Sequence, residues 1–272
     1  MMRSLWSAAS GMKGQQVAVD TIANNLANVN TVSYKSQSTQ FKSLLYQTLQ
    51  NQSTTANGDP KPTSVQVGLG TRVASTNTNF AQGAMTAVQS KSACAISGEG
   101  FFAITAANGS TIYTRSGDFV WALDAGGQRF LSNNNGEAVQ DRTGQPIIMP
   151  DGVGVDSVGI STEGEVSYRD NTGNMVSTGQ FIGLYQFANP TGLGKIGDSN
   201  YEATPASGEP IAESENPNLT PSEVIQGYLE ASNVNVADEM VNLIVAQRAY
   251  EMNSKAITTS DSMLETANGL KR

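Results

Sequence analysis

The chain has 272 residues, of which 24 are acidic and 16 basic, so its formal net charge is −8; it contains one cysteine and no histidine. The absence of histidine excludes His-based acid–base catalysis and the Ser-His-Asp and Cys-His nucleophile systems, and it removes the usual ligands of zinc. The acidic balance, without any run of basic residues, excludes binding to nucleic-acid phosphates.

No apolar segment is long enough to span a bilayer, so we expect no direct membrane insertion. The apolar stretch at the N-terminus is interrupted by Ser10 and Gly11 and ends at Lys13. It lacks the longer apolar run of a secretory signal, so we expect no cleaved signal peptide. The single Cys94 lies in a run of small and apolar residues, which predicts a packed core residue rather than a reactive thiol.

The N-terminal stretch predicts a helix, because apolar residues recur at alternating steps of four and three. This is the seam of a helix that packs on other helices, and it should end near residues 28–31, where Asn and β-branched residues accumulate. An Asn cluster at this end either marks a fraying terminus or supplies amides that satisfy one another, or backbone groups, in a layer of packed helices between subunits. The stripe is Leu5, Ala9, Met12, Gln16, Val19, Ala23 and Leu26, and the Asn cluster is Asn24, Asn25, Asn28 and Asn30.

Residues 35–64 predict a polar, extended connector, because they are rich in polar residues and contain Asn57-Gly58-Asp59-Pro60. Residues 65–227 predict an antiparallel all-β domain, because strand-like runs alternate with turn signals at short spacing. Asn108-Gly109, between the apolar runs 101–104 and 111–114, predicts a hairpin turn.

The C-terminal stretch predicts a second helix from about residue 236 to 270, roughly 50 Å long at about 1.5 Å per residue. Asn235 is the expected N-cap, with Asp238 three residues on. A neighbouring line of the helix carries small and polar residues. That line fits either a helix on the protein's own core or close nesting among neighbouring helices, and periodicity does not decide between them. The apolar line is Val236, Leu243, Tyr250, Ile257 and Leu264.

The predicted fold is therefore α+β. Residues 1–34 and 228–272 form a terminal helical domain, and residues 65–227 form a β-rich outer domain. Two long helices with thin apolar stripes are marginal alone. We therefore expect the helices to pack with copies of themselves in a coiled-coil-like layer.

Two motifs carry weaker signals. Residues 192–197 match the dinucleotide fingerprint G-x-G-x-x-G by letter, but the strand, helix and distant acid of that motif are missing, which favours a loop. Acidic residues in the predicted turns would form a glycosidase pair only if two faced each other across a cleft, and no calcium loop is complete. We predict no catalytic residue, cofactor or metal site.

Six segments, spread over nearly the whole chain, resemble in order the signatures of bacterial flagellar rod and hook axial proteins. The opening residues 3–6 and the length favour the distal-rod branch; hook and proximal-rod members are the alternatives. Ser33 replaces a Gly that is usual in the family, and residues 92–94 also depart from its pattern. The matching segments are 4–12 with 24–31, 97–102, 113–119, 227–236 and 247–256.

The resemblance implies a structural subunit rather than an enzyme. Many copies would polymerise into a straight, rigid tube that transmits motor torque to the hook. The implied partners are other copies of the chain, proximal rod proteins, the hook protein and the surrounding ring proteins. The implied location is the flagellar basal body, in the periplasm and cell envelope, reached by the flagellar type III route. The expected assembly interface consists of Leu5, Met12, Val19, Ile22, Asn25, Leu26, Asn28, Val236, Met240, Leu243, Tyr250, Ile257 and Leu264.

Two other classes compete with this interpretation. A secreted β-domain binding module would not need seven-residue repeats at both ends. A carboxylate-based glycosidase would need a concave site with two facing acids.

Overall fold

The structure, a computed structural model, describes residues 2–50, 65–124, 126–150, 152–170, 173–216 and 219–270. The chain divides into two compact units. The helical unit comprises Met1–Ala27, Gln37–Thr78 and Asn235–Arg272, and the β unit comprises Asn28–Ser36 and Asn79–Val234. The part of the predicted connector with the Asn57-Gly58-Asp59-Pro60 turn lies outside the described residues.

Two long helices dominate the helical unit, as predicted. Helix α1 spans Met2–Ala27 and helix α2 spans Val236–Gly269. The Asn235 side chain accepts a hydrogen bond from the Ala237 N–H at 3.1 Å and donates to Asp238 at 2.8 Å, which confirms the predicted N-cap. Asp238 and Glu239 lie in the first turn of α2, where their negative charges interact favourably with the positive end of the helix dipole.

The helical unit also contains two antiparallel strand pairs, with one strand of each pair in the segment predicted as connector and the other in the segment predicted as β domain. Strand β1 pairs with β4, and β2 pairs with β3. Helix α1 packs against both β1 and β4. The strands are β1 (Gln37–Ser43), β2 (Tyr46–Gln50), β3 (Val65–Gly68) and β4 (Thr71–Thr78).

The β unit is antiparallel throughout, as predicted. Its largest sheet has the order β12-β10-β11-β7-β8-β18-β17, with β9 on β10 and β16 joining β7 and β19. Strands β13, β14 and β15 form a second sheet, and β20–β6 and β21–β5 form pairs. The first ten strands are β5 (Met85–Ala87), β6 (Cys94–Ser97), β7 (Phe101–Thr105), β8 (Thr111–Thr114), β9 (Val120–Leu123), β10 (Arg129–Ser132), β11 (Ala138–Val139), β12 (Ile148–Met149), β13 (Val158–Ile160) and β14 (Glu165–Arg169). The others are β15 (Met175–Phe181), β16 (Leu184–Gln186), β17 (Gly194–Gly197), β18 (Asn200–Glu202), β19 (Ile211–Ala212), β20 (Glu223–Gln226) and β21 (Tyr228–Glu230), and two 3-10 turns lie at Val155–Ser157 and Pro190–Gly192.

One sequence motif takes the structure expected of it, and another, expected to be a loop, forms a strand over residues 194–197. Strands β7 and β8 pair from Thr105 opposite Thr111, so the Asn108-Gly109 hairpin is confirmed. The G-x-G-x-x-G stretch forms a 3-10 turn followed by β17 rather than a helix. A Cβ at Gly192 would lie 2.6 Å from the backbone of Ala206, so the glycine serves close backbone packing.

The β unit contains two apolar clusters. The larger combines residues of the large sheet with residues of β13 and β14, and includes Cys94. The predicted burial of Cys94 is confirmed, because its side chain is fully buried and burial raises the pKa of its thiol to about 12. The smaller cluster is aromatic, with Phe101, Tyr113, Phe187 and Tyr201 in edge-to-face contacts.

Ser33, which stands at the position of the usual family glycine, has a φ of 55°. This left-handed conformation costs a residue with a Cβ about 1–2 kcal/mol. The serine is fully buried and is held by two hydrogen bonds: its N–H donates to the Glu230 carbonyl at 2.8 Å, and its hydroxyl donates to the Arg115 carbonyl at 2.8 Å. The turn therefore keeps a geometry suited to glycine, and the hydroxyl supplies a contact that glycine would lack.

Candidate assembly interface

The inner face of α2 packs on α1 within the same chain, and the two helices run antiparallel. The start of α1 contacts the C-terminal half of α2 through a hydrogen bond between Ser4 Oγ and Ser260 Oγ, which lie 3.4 Å apart. A Cβ at Gly11 would lie 2.9 Å from the Asn253 side-chain nitrogen, so the glycine lets the helices approach closely. The small and polar line of α2 therefore faces its own partner helix, where Ala246 and Ser260 are buried.

Asn25 holds α1 to the neighbouring elements of the helical unit. Its amide donates to the Gln37 carbonyl at 2.8 Å and to Glu239 at 3.0 Å, and its carbonyl accepts from the Gln37 N–H at 2.9 Å. Since Asn25 is fully buried, these bonds satisfy an amide that would otherwise be costly. Asn28 belongs to the β unit and accepts from the Thr31 hydroxyl at 3.1 Å. The Asn25 side chain therefore bonds backbone groups, as one interpretation of the Asn cluster expected, but these groups belong to its own chain.

The sequence-predicted interface residues occupy two kinds of position. On α1, and on the inner side of α2, the apolar ones are half-buried within the unit, and Asn25 is fully buried. Val236, Met240 and Tyr250 of α2 are 39–52 % exposed. The half-buried members are Leu5, Met12, Val19, Ile22, Leu26, Leu243, Ile257 and Leu264.

A second apolar line of α2, which the sequence reasoning missed, lies on the open side of the helix. We call Val241, Val245, Met252 and Met263 the outer stripe; their exposed fractions are 59, 62, 67 and 56 %. They follow one another at steps of 4, 7 and 11 residues, which keeps them on one side of an α-helix. The signal was present in the sequence, but Arg248 and Thr259 interrupt the line and hide its period.

The outer stripe borders an apolar groove of the helical unit. This groove has a volume of about 300 Å³ and is lined by residues of α1, β1 and α2, including Ala18, Ile22, Phe41, Val245 and Ala249. A further exposed apolar patch lies at β2 and the residue before it, where Leu45, Tyr46 and Leu49 are 83, 63 and 49 % exposed. The helical unit therefore presents apolar surface on more than one side.

The β unit contains a buried ion cluster around Glu230. Glu230 Oε1 lies 2.6 Å from Lys35 Nζ and accepts from the Gly83 N–H at 2.7 Å, while Oε2 lies 3.1 Å from Arg115 Nε. Arg115 also donates to the carbonyls of Gly98 and Gly100.

The side chains of this cluster are at most 2 % exposed. Burial, followed by the charge of Arg115, lowers the pKa of Lys35 below its ordinary value, although Glu230 opposes that shift. Lys35 and Glu230 lie at opposite ends of the β unit in the chain. The ion pairs of this cluster therefore link the segments around Lys35, Arg115 and Glu230, which are far apart in sequence.

Other kinds of site find little support in the structure. The part of the chain that is described holds no group of three or more His, Cys, Asp or Glu side chains placed to bind a metal. No helix within the described ranges is long and apolar enough to cross a membrane. Two paired helices, one from each end of the chain, together with an antiparallel β unit define an α+β protein with an open apolar stripe on α2.

Comparisons with known proteins identify the family of the chain. The profile "Flagella basal body rod protein" matches residues 5–35, "Flagellar hook protein FlgE/F/G D1 domain" matches residues 95–168, and "Flagellar basal body rod FlgEFG protein C-terminal" matches residues 225–270. Three "Flagellar basal-body rod protein FlgG" sequences align over almost the full length of both chains. The identity is 44 % for that of Borreliella burgdorferi (100 % of each chain), 39 % for Agrobacterium fabrum (96 % of this chain, 97 % of the relative) and 38 % for Bacillus subtilis (100 % of each).

The chain belongs to the FlgG family of flagellar basal-body rod proteins. It is accordingly a structural protein of the flagellar basal body rather than an enzyme. The resemblance noted from the sequence is confirmed over the whole chain.

Proposed function

We propose that the chain is a subunit of the distal flagellar rod that polymerises through its terminal helices into a straight, rigid tube and transmits motor torque to the hook. The observation that carries this proposal is the outer stripe. Helix α2 already uses one face against α1, so a second apolar face has no role inside the chain. A second copy of the chain, with the same long helices, is the occupant that fits it.

The size of the outer stripe supports a stable contact. Its four side chains are each about three-fifths exposed. Full burial of such a side chain yields about 1.5–3 kcal/mol, so covering the exposed parts yields about 4–7 kcal/mol before the cost of association. Because each subunit of a helical polymer contacts several neighbours, contacts of this strength add up to a rigid assembly.

The arrangement of the polymer follows from where the exposed apolar surface lies. Most of the exposed large apolar side chains belong to the helical unit, whereas the β unit buries its own in two clusters. The helical unit, centred on residues 1–34 and 228–272, would therefore form the inner, coiled-coil-like layer of the tube. The β-rich outer domain, predicted at residues 65–227 and corresponding to the β unit, would form the outer layer.

The partners and the route of this subunit are part of the same proposal. Proximal rod proteins would lie below it, the hook protein above it and the ring proteins around it, in the periplasm and cell envelope. The subunit would be exported by the flagellar type III route. The support for this part is the family membership.

The outer stripe is tested by charge substitution on α2. Val245→Asp and Met252→Asp should abolish rod assembly and motility, because each places a carboxylate in the proposed contact. Gln247→Asp, at an exposed position off the stripe, adds the same charge and should leave assembly intact. The readout is electron microscopy of basal bodies from complemented cells. Normal rods in both stripe variants would refute the proposed contact.

Leu243→Asp and Ile257→Asp should also stop assembly. These positions are half-buried in the helical unit, so we expect their circular dichroism to report a loss of helix packing as well. The stripe variants should keep their native circular dichroism, which separates a folding defect from an assembly defect.

The place of the subunit in the rod is tested by deleting its gene and imaging the basal bodies. A shortened rod without a hook would establish a distal rod subunit. A full-length rod without a hook would move the protein to the hook, and intact flagella would refute a role in the rod.

A further inference from the structure

Methionines form the C-terminal half of the outer stripe. Met252 and Met263 lie on this line, and their side chains are more than half exposed. The other two members, Val241 and Val245, are aliphatic and carry no group that a mild oxidant attacks. The open face of α2 therefore combines two inert side chains with two thioethers, which are polarizable and readily oxidised.

Two other sulfur groups of the chain are shielded from an oxidant. Cys94 is fully buried, and burial raises the pKa of its thiol to about 12, so it contains little of the reactive thiolate at neutral pH. Met149 belongs to the larger apolar cluster and is also buried. Met175, in β15 of the β unit, is 54 % exposed, close to the 56 % of Met263. It provides an exposed methionine off the stripe for comparison.

The chemistry that applies to an exposed thioether is oxygen transfer from a peroxide. A lone pair of the sulfur attacks one oxygen of hydrogen peroxide, a sulfur–oxygen bond forms as the oxygen–oxygen bond breaks, and the other oxygen leaves as water after a proton shift. The sulfur loses two electrons and the peroxide gains them. The product, methionine sulfoxide, is polar and accepts hydrogen bonds.

A sulfoxide in the outer stripe changes association rather than folding. In the free subunit its oxygen is solvated, because the stripe lies on the open side of α2. In a contact between copies the oxygen would need a hydrogen-bond donor, and the valine and methionine side chains of the stripe supply none. A buried acceptor without a partner is unfavourable.

We infer that Met252 and Met263 are oxidation sites of the free subunit, and that their conversion to sulfoxides by a peroxide blocks its addition to the rod. This inference rests on the proposed function, in which the outer stripe contacts a second copy. The contact covers the stripe, so subunits already in the rod are protected. Because methionine sulfoxide reductases restore the thioether, the block is reversible.

The first test compares oxidation of the free full-length protein with that of isolated basal bodies. Both are treated with hydrogen peroxide and digested, and mass spectrometry follows the gain of one oxygen atom at each methionine. In the free protein, Met252 and Met263 should react about as fast as Met175 and roughly tenfold faster than Met149. In basal bodies the rates at the two stripe positions should fall roughly tenfold. Equal rates in the free and assembled protein would overturn the inference.

The second test removes the thioethers. Leucine keeps the apolar volume of methionine, so the double variant Met252→Leu/Met263→Leu should assemble normally. When peroxide is given while rods form, electron microscopy should show about twofold fewer rods per cell, or fewer still, in the wild type and in Met175→Leu. The double leucine variant should keep its rods. An equal loss in all three strains would place the damage elsewhere and contradict the inference.

A glutamine pair imitates the sulfoxides without an oxidant, because glutamine is uncharged and presents a carbonyl acceptor. Met252→Gln/Met263→Gln should lower the number of rods roughly tenfold and keep native circular dichroism, whereas Met175→Gln should assemble normally. If the glutamine pair assembles normally while Val245→Asp does not, the outer-stripe contact stands and the oxidation inference falls. If Val245→Asp also assembles, the proposed contact fails, and this inference fails with it.

Discussion

Replacement of Glu230 by Gln tests whether the buried ion cluster stabilises the β unit. The wild-type carboxylate accepts from three donors: Lys35 Nζ, Arg115 Nε and the Gly83 N–H. A glutamine keeps the shape but replaces one oxygen by an NH₂ group. The amide nitrogen must face either Arg115 or the pair Lys35 and Gly83. In either orientation at least one of these N–H donors faces the NH₂ group and loses its acceptor.

The magnitude follows from burial and charge. The three side chains carry a net charge of +1 in the wild type and +2 in Glu230→Gln, and all are at most 2 % exposed. Removing one partner of a buried ion pair costs about 3–5 kcal/mol, because it leaves an uncompensated charge. A domain has a free energy of unfolding of about 5–15 kcal/mol, so the variant should lose a large share of its stability.

The assay is urea unfolding of the full-length protein followed by tryptophan fluorescence. The chain has two tryptophans, so a Trp6→Phe background leaves Trp121, which belongs to the β unit, as the probe. Glu251→Gln is the matched control: Glu251 lies 2.9 Å from Arg248, but the two side chains are 62 and 74 % exposed. An exposed pair contributes about 0–1 kcal/mol, so the control should unfold almost as the wild type does.

A double variant separates charge from shape. Lys35→Met added to Glu230→Gln returns the charge of the cluster to +1, so the two changes together should cost clearly less than the sum of the single changes. A loss of less than about 1 kcal/mol in Glu230→Gln, or strict additivity in the double variant, would refute the electrostatic reasoning.

Two further predictions concern the β unit. Ser33→Ala should cost about 1 kcal/mol, because it removes the hydroxyl bond to the Arg115 carbonyl but keeps the left-handed φ; Ser33→Gly should be about 1 kcal/mol more stable than Ser33→Ala, and the reverse order in urea unfolding would contradict this account. Because burial raises the pKa of Cys94 from 9.0 to about 12, its contribution to stability is complete below pH 9 and is lost as the pH rises toward 12. The free energy of unfolding should therefore fall faster in the wild type than in Cys94→Ala over that interval, by up to about 1.4 kcal/mol per pH unit, and parallel pH profiles would show that the thiol is not buried as described.

Much of the architecture could be predicted from local patterns. The two helices, the Asn235 cap, the Asn108-Gly109 hairpin and the burial of Cys94 depend on periodicity, capping or composition within a few residues. These signals are local because helix and turn hydrogen bonds join residues close in sequence. The family signatures, spread over the whole chain, added the structural role.

The candidate interface could be predicted only in part. The seven-residue line from Val236 to Leu264 predicted that α2 packs on other helices, but periodicity did not show which of its faces is covered by α1. The outer stripe and the closeness of Gly11 to Asn253 required the helix pair itself. A helix presents all its faces in the sequence, and only packing decides which of them remain open.

The sequence by itself therefore determined the class of protein: an α+β chain with a long helix near each end, without the histidine of common catalysis. The tertiary structure alone decided where Glu230 meets Lys35 and Arg115, and why Ser33 can occupy a left-handed turn. These residues lie far apart along the chain, and their contacts depend on the order and register of the strands. Such long-range pairing leaves no local pattern, because neither member of a pair constrains its own neighbours in sequence.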